Sequence, residues 1–292
     1  MKKVIVIVGP TAIGKTSLSV NLAKEINAEI INGDSVSLYK KLDIGSAKIT
    51  KEEMGGIPHY LVDEIDPNIQ FSAADFQKKS RELIDKIDVP MIVGGTGLYI
   101  KSALYDYDFS AVKRSNETED KYKDYTNEEL YEVLVKLDKD SCETIHQNNR
   151  KRVLRAIELA NDNNKISINK NKDNPLFEPF IIYLNLEREV LYKRINQRVI
   201  DMFDLGLEKE VKDLFNQNIK VDAIGYKEFY PYFNKEIDKK TLIDTIQKNT
   251  RHLAKKQTTW FKNQMKTNFY DVSEKDVFNK ILKDVKVFLG DE

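Results

Sequence analysis

The chain has a single cysteine, Cys142, among 292 residues. No internal disulfide can form, and a cysteine-based zinc site is excluded. An excess of one charge is missing too. Lys and Arg together number 47, as do Asp and Glu, so the formal net charge is zero. Global charge therefore gives no support for nucleic-acid binding, and any such contact has to rest on local patches. The three histidines, His59, His146 and His252, stand far apart with no second ligand at metal spacing, which argues against a metal cluster. Long hydrophobic runs are absent as well. The apolar stretch after the two N-terminal lysines spans only Val4 to Val8. That is too short for a signal peptide or a membrane span, so the chain is expected to be cytoplasmic. There is no internal repeat and no long low-complexity tract.

That short run leads straight into a motif. Val4 to Val8 are mostly β-branched and read as a buried parallel strand. Gly9, Pro10, Thr11, Ala12, Ile13, Gly14, Lys15 and Thr16 then fit G-x-x-x-x-G-K-[ST], the nucleotide-binding phosphate loop. Its glycines let the backbone wrap with N–H groups pointing at an anion, and the helix starting near Lys15 adds its positive end. Lys15 can reach terminal phosphates and Thr16 can ligate Mg²⁺. The loop is strong for phosphate binding but silent on the reaction, since kinases, hydrolases and transferases all use it.

Strands and helices alternate through the first hundred residues: Val4–Val8, a helix over Lys15–Ile26, a strand at Glu29–Ile31, a helix over Phe71–Ile87, and a strand at Met91–Val93. This series predicts an α/β fold, a phosphate-loop (P-loop) NTPase-like parallel sheet with flanking helices. From about Asp106 to Asn174 the chain is polar, tyrosine-rich and helical in pattern, with a capping box at Thr126 to Glu129. Residues 161–175 read as an exposed connector. A strand at Phe180–Leu186 then returns to the sheet. After it come helices near Glu189–Phe203, Glu208–Asn216 and Lys240–Lys262, a strand at Asn268–Val272 and a last helix. The expected organisation is a core of residues 1–106 and 176–292 interrupted by a helical insertion domain, 107–175.

Asp34, in "INGDSVSLY", follows the second strand directly. Ligands of open parallel sheets bind outside such strand ends, and a carboxylate there can hold Mg²⁺ or act as a general base. Asp43 and Asp63 follow no strand so directly. The strand "PMIVGGTGLYI" ends in Gly94, Gly95 and Thr96 rather than in the metal-binding aspartate usual in phosphate-loop hydrolases. This weakens a hydrolase reading. Its glycines permit close backbone approach, and Thr96 offers a hydroxyl.

Together "GPTAIGKT", "INGDSVSLYKKLDIGSAK", "PHYLVDEIDP", "FSAADF", "VGGTGLY", "NNRKRVLRAIE", "RINQRVIDMFDLGLEKEV", "AIGYKE" and "TRHLAKKQTTWFK" resemble, in order and over nearly the whole chain, the tRNA dimethylallyltransferase family. The resemblance implies transfer of a dimethylallyl group from dimethylallyl diphosphate to N6 of the adenosine 3′-adjacent to the anticodon of tRNA. It explains a kinase-like loop in an enzyme that need not use ATP. It implies that the loop holds the diphosphate with Mg²⁺, and that Asp34 is the general base for N6. Thr96 and Arg198 match residues that contact the diphosphate. Arg194, four residues before Arg198, is the less favoured of the pair and reads as a surface charge. Toward the anticodon stem-loop the resemblance implies Thr11, Thr16, Asp34, Ser35, Val36, Ser37, Lys151, Arg152, Tyr226, Lys227, Arg251 and Lys255. It also implies a monomer.

Local charge supports an RNA partner. "RKRVLR" (150–155) holds four basic residues in six, and Lys248, Arg251, Lys255 and Lys262 fall on one face of a predicted helix. Trp260 and Phe261 read as core, and Tyr226 either stacks or packs. The chain departs from the family pattern at two positions. Ile13 stands where Ser is common, and Ser37 where Gln is frequent, which leaves substrate preference open. Competing readings are a transferase acting on free adenine nucleotides, a small-molecule kinase, and a non-catalytic RNA-binding module.

Overall fold

The computed structural model describes residues 1–107, 109, 116–162 and 174–290. The connector expected at 161–175 falls mostly outside them. The described chain divides into two compact units, Met1–Leu104 with Pro175–Glu292, and Tyr105–Asn174.

The larger unit is an α/β fold around six strands: β1 (Lys3–Val8), β2 (Glu29–Asn32), β3 (His59–Tyr60), β4 (Pro90–Gly94), β5 (Glu178–Asn185) and β6 (Asn268–Asp271). Their order is β3-β2-β4-β1-β5-β6, and every pairing is parallel. Parallel sheets bury both faces, which is why β1 reads as an unbroken apolar run; Val4 to Val8 are at most 1% exposed. From β1 the chain runs to β2 and β3, returns to β4, and only then crosses to β5 and β6. The switch in direction falls at β1, where ligands of such sheets collect.

The helices of this unit are α1 (Lys15–Ile26), α2 (Lys51–Met54), α3 (Ala73–Lys86), α4 (Gly97–Leu104), then, after the smaller unit's α5 to α7, α8 (Arg188–Asp204), α9 (Leu207–Asn216), α10 (Phe229–Phe233), α11 (Lys239–Gln264) and α12 (Val277–Leu289). Capping boxes fix the starts of α2 at Thr50 and of α3 at Ser72. The elements α2, β3, α4 and α10 are additions to the sequence-based expectation. Ile5, Ile7, Leu22, Ile30, Ile182 and Ile281 belong to one apolar core, which joins the sheet to α1 and α12. A second core joins α8 to α11 through Val199, Leu207, Leu214, Phe229, Leu242 and Ile246, and also takes in Leu42.

The smaller unit holds α5 (Asn116–Lys121), α6 (Asn127–Leu137), a short 3₁₀ turn (Lys139–Glu143) and α7 (Arg150–Asn161). The capping box at Thr126 forms as the sequence predicts. Leu130, Leu134, Val153 and Ile157 pack together in its core.

Candidate active site

The phosphate loop joins β1 to α1. Gly14, just before the helix, sits at φ 102°, a left-handed conformation open to glycine at little cost, and gives no side-chain cap. The first turn of α1 therefore keeps its amides for another partner. No described residue accepts from the backbone N–H groups of Ala12 to Thr16. Lys15 Nζ donates to the carbonyls of Gly9 at 3.0 Å and Pro10 at 2.9 Å. Ile13 is buried in the main core, so its side chain anchors the loop from below.

Thr11 to Thr16 line one cavity of about 380 Å³ with Asn32, Asp34, Ser37, His59, Arg194 and Arg198. Ile30, Ile49, Val62 and Val93 give it an apolar wall. Burial pushes the Lys15 ammonium down to about 8, with Asp34 opposing the shift and Arg198 adding to it. Arg198 is lowered as well, again chiefly by burial, against the pull of Asp34 and Glu53. Its guanidinium donates to the Thr11 hydroxyl at 3.4 Å. Three cations, Lys15, Arg194 and Arg198, and one carboxylate, Asp34, thus share one partly buried space.

Asp34 follows β2, as its sequence position predicts. Oδ1 accepts from Val36 N–H at 2.9 Å, while Oδ2 bonds no described residue. Thr96 lies beside it, its hydroxyl accepting from Ser35 N–H at 3.1 Å and donating to Ser35 Oγ at 3.3 Å. The glycines around Thr96 do allow close approach, but by the chain itself. A Cβ on Gly94 would lie 2.2 Å from the Gly33 carbonyl carbon, and one on Gly97 would lie 2.2 Å from the Trp260 ring. Asp43 and Asp63 line no part of the cavity. Both carboxylates bind the buried ammonium of Lys48, at 2.5 and 2.7 Å.

Thr16 offers a hydroxyl that no described residue bonds. With Asp34 Oδ2 it gives two protein oxygens, and no group of three or more His, Cys, Asp or Glu able to hold a metal exists among the described residues. One or two protein oxygens, with phosphate and water filling the remaining positions, is the usual way Mg²⁺ is held at phosphate sites.

Arg194, a surface charge by its sequence context, lines the cavity beside Arg198. Their i, i+4 spacing on α8 was the available signal. His59 and Gln257 were missed. His59 Nδ1 donates to the Ile57 carbonyl at 2.8 Å, which fixes its proton there, and burial lowers its pKa. The residues expected at tRNA are dispersed. Ser35, Val36 and Ser37 adjoin the cavity, with Ser37 buried. Lys151 and Arg152 are exposed on α7, whereas Arg150 donates to the carbonyls of Tyr122 and Tyr125 and Arg155 pairs with Glu158. Lys227 is exposed and pairs with Asp222 at 3.3 Å. Tyr226 is fully buried, its hydroxyl donating to Glu210 at 2.8 Å. Of the basic face on α11, Lys248, Lys255 and Lys262 are exposed, while Arg251 is half-buried and turns to Asn196 Oδ1. Phe261 is core, as expected, with Trp260 partly buried beside it.

The chain is 44% identical to a protein of Anoxybacillus flavithermus named tRNA dimethylallyltransferase, covering 97% of this chain and 95% of that one. Its fold is similar to the crystal structure of a tRNA delta(2)-isopentenylpyrophosphate transferase from Staphylococcus epidermidis, with TM-score 0.74, 39% identity and 99% of each chain covered. It is also similar to a eukaryotic dimethylallyltransferase described as acting on tRNA, with TM-score 0.83, 26% identity, and 100% of this chain and 81% of that one covered. The model of the IPP transferase family matches residues 37–264. On a match of that length, together with relatives aligned along almost all of its sequence, the chain belongs to the IPP transferase family.

Proposed function

We propose that this chain is an enzyme that transfers a dimethylallyl group from dimethylallyl diphosphate to N6 of the adenosine 3′-adjacent to the anticodon of tRNA, releasing diphosphate. One observation carries the reading. A phosphate loop with uncommitted amides shares its cavity with an uncommitted carboxylate oxygen, in a chain whose relatives bear the name tRNA dimethylallyltransferase.

The reaction breaks the allylic C–O bond and leaves its electron pair on diphosphate. The loop amides, Lys15 and Arg198 face that growing charge, and fixed cations in a partly buried site contribute most of the rate gain in such catalysis. Arg194 lines the same cavity, whereas Thr96 lies just outside its lining with its hydroxyl on Ser35. N6 of adenine is a poor nucleophile. As its bond to the allyl carbon forms, Asp34 Oδ2 takes the displaced proton. Bound Mg²⁺ would be held by Thr16 and would supply further positive charge to the diphosphate, leaving Asp34 Oδ2 to the proton. The base must leave the anticodon stack to reach Asp34. Lys151, Arg152, Lys248 and Lys255 are the cations suited to holding the RNA backbone. This reading takes the enzyme to work in the cytoplasm as a monomer. Among the described residues no helix is long and apolar enough to cross a membrane.

The test is incubation with dimethylallyl diphosphate, Mg²⁺ and unmodified tRNA, read by mass spectrometry of anticodon-loop fragments, with Asp34→Ala in parallel. One added prenyl group with wild type, and none with the variant, is the expected result. Prenylation of free adenosine phosphate alone would move the substrate away from RNA. ATP consumption without RNA would return the chain to the kinases.

A further inference from the structure

Asn32, at the end of β2, is 9% exposed, and its side chain has all four of its hydrogen-bonding positions in use. Its Nδ2 donates to the carbonyls of Asp34 at 3.1 Å and Leu61 at 2.8 Å. Its Oδ1 accepts from the Asp34 N–H at 3.1 Å and from the Ser37 hydroxyl at 3.2 Å. The orientation of the amide is set by these partners, because two carbonyls can only accept and a backbone N–H can only donate. Asn32 therefore grips Asp34 at both backbone polar groups and ties it to the strand end, to the segment after β3 and to the next turn. Asp34 adds one bond of its own, Oδ1 to Val36 N–H, which leaves Oδ2 as the oxygen to do chemistry.

We propose that Asn32 is the positioning residue for Asp34, with Ser37 as its buttress. The inference rests on the reading of Asp34 as the base. It also gives Ser37 a task. Where the family pattern often carries a longer side chain, this chain has a hydroxyl turned inward to Asn32, so Ser37 contributes to the reaction through Asn32 and Asp34 and reads no base itself. A carboxylate that must meet one N–H of a flipped adenine is sensitive to small shifts, since a displacement of about 1 Å at a reacting group costs about 100-fold in rate. Asn32 borders the cavity but makes no bond to the loop amides, Lys15 or Arg198, so its substitution leaves those donor-holding groups in place.

The experiment compares wild type, Asn32→Ala, Ser37→Ala and Asp34→Asn on tRNA, with binding of dimethylallyl diphosphate measured separately by calorimetry. Asn32→Ala is expected to lower kcat about 10- to 100-fold with donor affinity changed less than about twofold. Ser37→Ala, which removes one peripheral bond and should fold normally, is expected to lower kcat a fewfold in the same pattern. In the Asp34→Asn background neither substitution should lower the residual rate further, because there is no base left to position. Equal losses in kcat and donor affinity, or an undiminished loss in the Asp34→Asn background, would assign Asn32 a merely structural role. Full activity in Asn32→Ala and Ser37→Ala beside a crippled Asp34→Asn would overturn the positioning role and leave the base standing. A fully active Asp34→Asn would remove the base and this inference with it.

Discussion

Gln257 Oε1 accepts the backbone N–H of Thr11 at 3.0 Å, and its Nε2 donates to the Gly95 carbonyl at 3.1 Å. One side chain on α11 thus holds the phosphate loop against the glycine run after β4. Gln257→Ala would leave a partly buried donor and acceptor unpaired, at about 1–3 kcal/mol, and would free the loop. The expected result is a severalfold rise in KM for dimethylallyl diphosphate with KM for tRNA unchanged. Steady-state kinetics with each substrate varied in turn would show it. An equal rise for both would mean that Gln257 does not act through the loop.

Tyr226 is a strut inside the larger unit. Glu210 accepts from the backbone N–H groups of Asp43, Ile44 and Gly45 and from the Tyr226 hydroxyl, and so gathers the loop that carries Ser46 and Ala47 to the cavity wall. A Cβ on Gly45 would lie 2.5 Å from the Tyr226 ring. Tyr226→Phe should lower stability by about 1 kcal/mol, and Gly45→Ala by about 1–3 kcal/mol through overpacking. Both are read by urea unfolding. The affinity for tRNA should stay as in wild type with Tyr226→Phe; weaker binding by the folded variant would restore Tyr226 as an RNA contact.

Acid should weaken the fold partly through His59. Burial depresses its pKa, opposed by the bond to Ile57, whereas the unfolded imidazole titrates near about 6.5. As pH falls through that value, the unfolded chain takes up a proton that the folded chain refuses. The stability present above about pH 6.5 is therefore lost until the folded pKa is reached. Unfolding of wild type and His59→Gln at about pH 7.5 and about pH 5.5, on either side of that value, tests the sign, with wild type losing more. Equal losses would mean the imidazole is not held neutral by its surroundings.

The parts of this fold that could be read from sequence are those with local signals. The β1–loop–α1 unit announces itself through a β-branched run, Gly-Pro punctuation and a lysine at a fixed offset, and Thr126 and Glu129 spell their own helix start. Asp34 was legible because strand ends of a parallel sheet are where ligands sit. The rest depended on non-local geometry. The two residues of β3 form a strand only by pairing Ile30 with His59 and Ile31 with Tyr60. Gln257 lies in a segment whose pattern was basic, and nothing local says that its amide faces the loop 246 residues away. Tyr226 looks the same in sequence whether it stacks on a base or fills a core. Arg150 and Arg155 read as basic surface in sequence until the fold commits them to its own carbonyls and to Glu158.

The basic face of α11 can be sorted in the same way. Lys248 and Lys255 lie seven residues apart, two turns along one face, with exposed His252 between them. Arg251, on the flank, is turned to Asn196 Oδ1, and Lys262 sits 5.5 Å from the centre of the Phe269 ring. Cations that contact RNA phosphates release counterions, and each such contact removed makes the salt slope of binding shallower by about 1. Lys248→Ala and Lys255→Ala should each do this without altering which tRNA is preferred, because phosphate contacts carry no sequence information. Arg251→Ala should instead lower the unfolding midpoint and leave the slope near wild type. Filter binding of tRNA across a salt series, beside thermal unfolding, separates the two classes. If Arg251→Ala changed the slope and the lysines did not, the RNA would lie along the flank of the helix that carries Arg251.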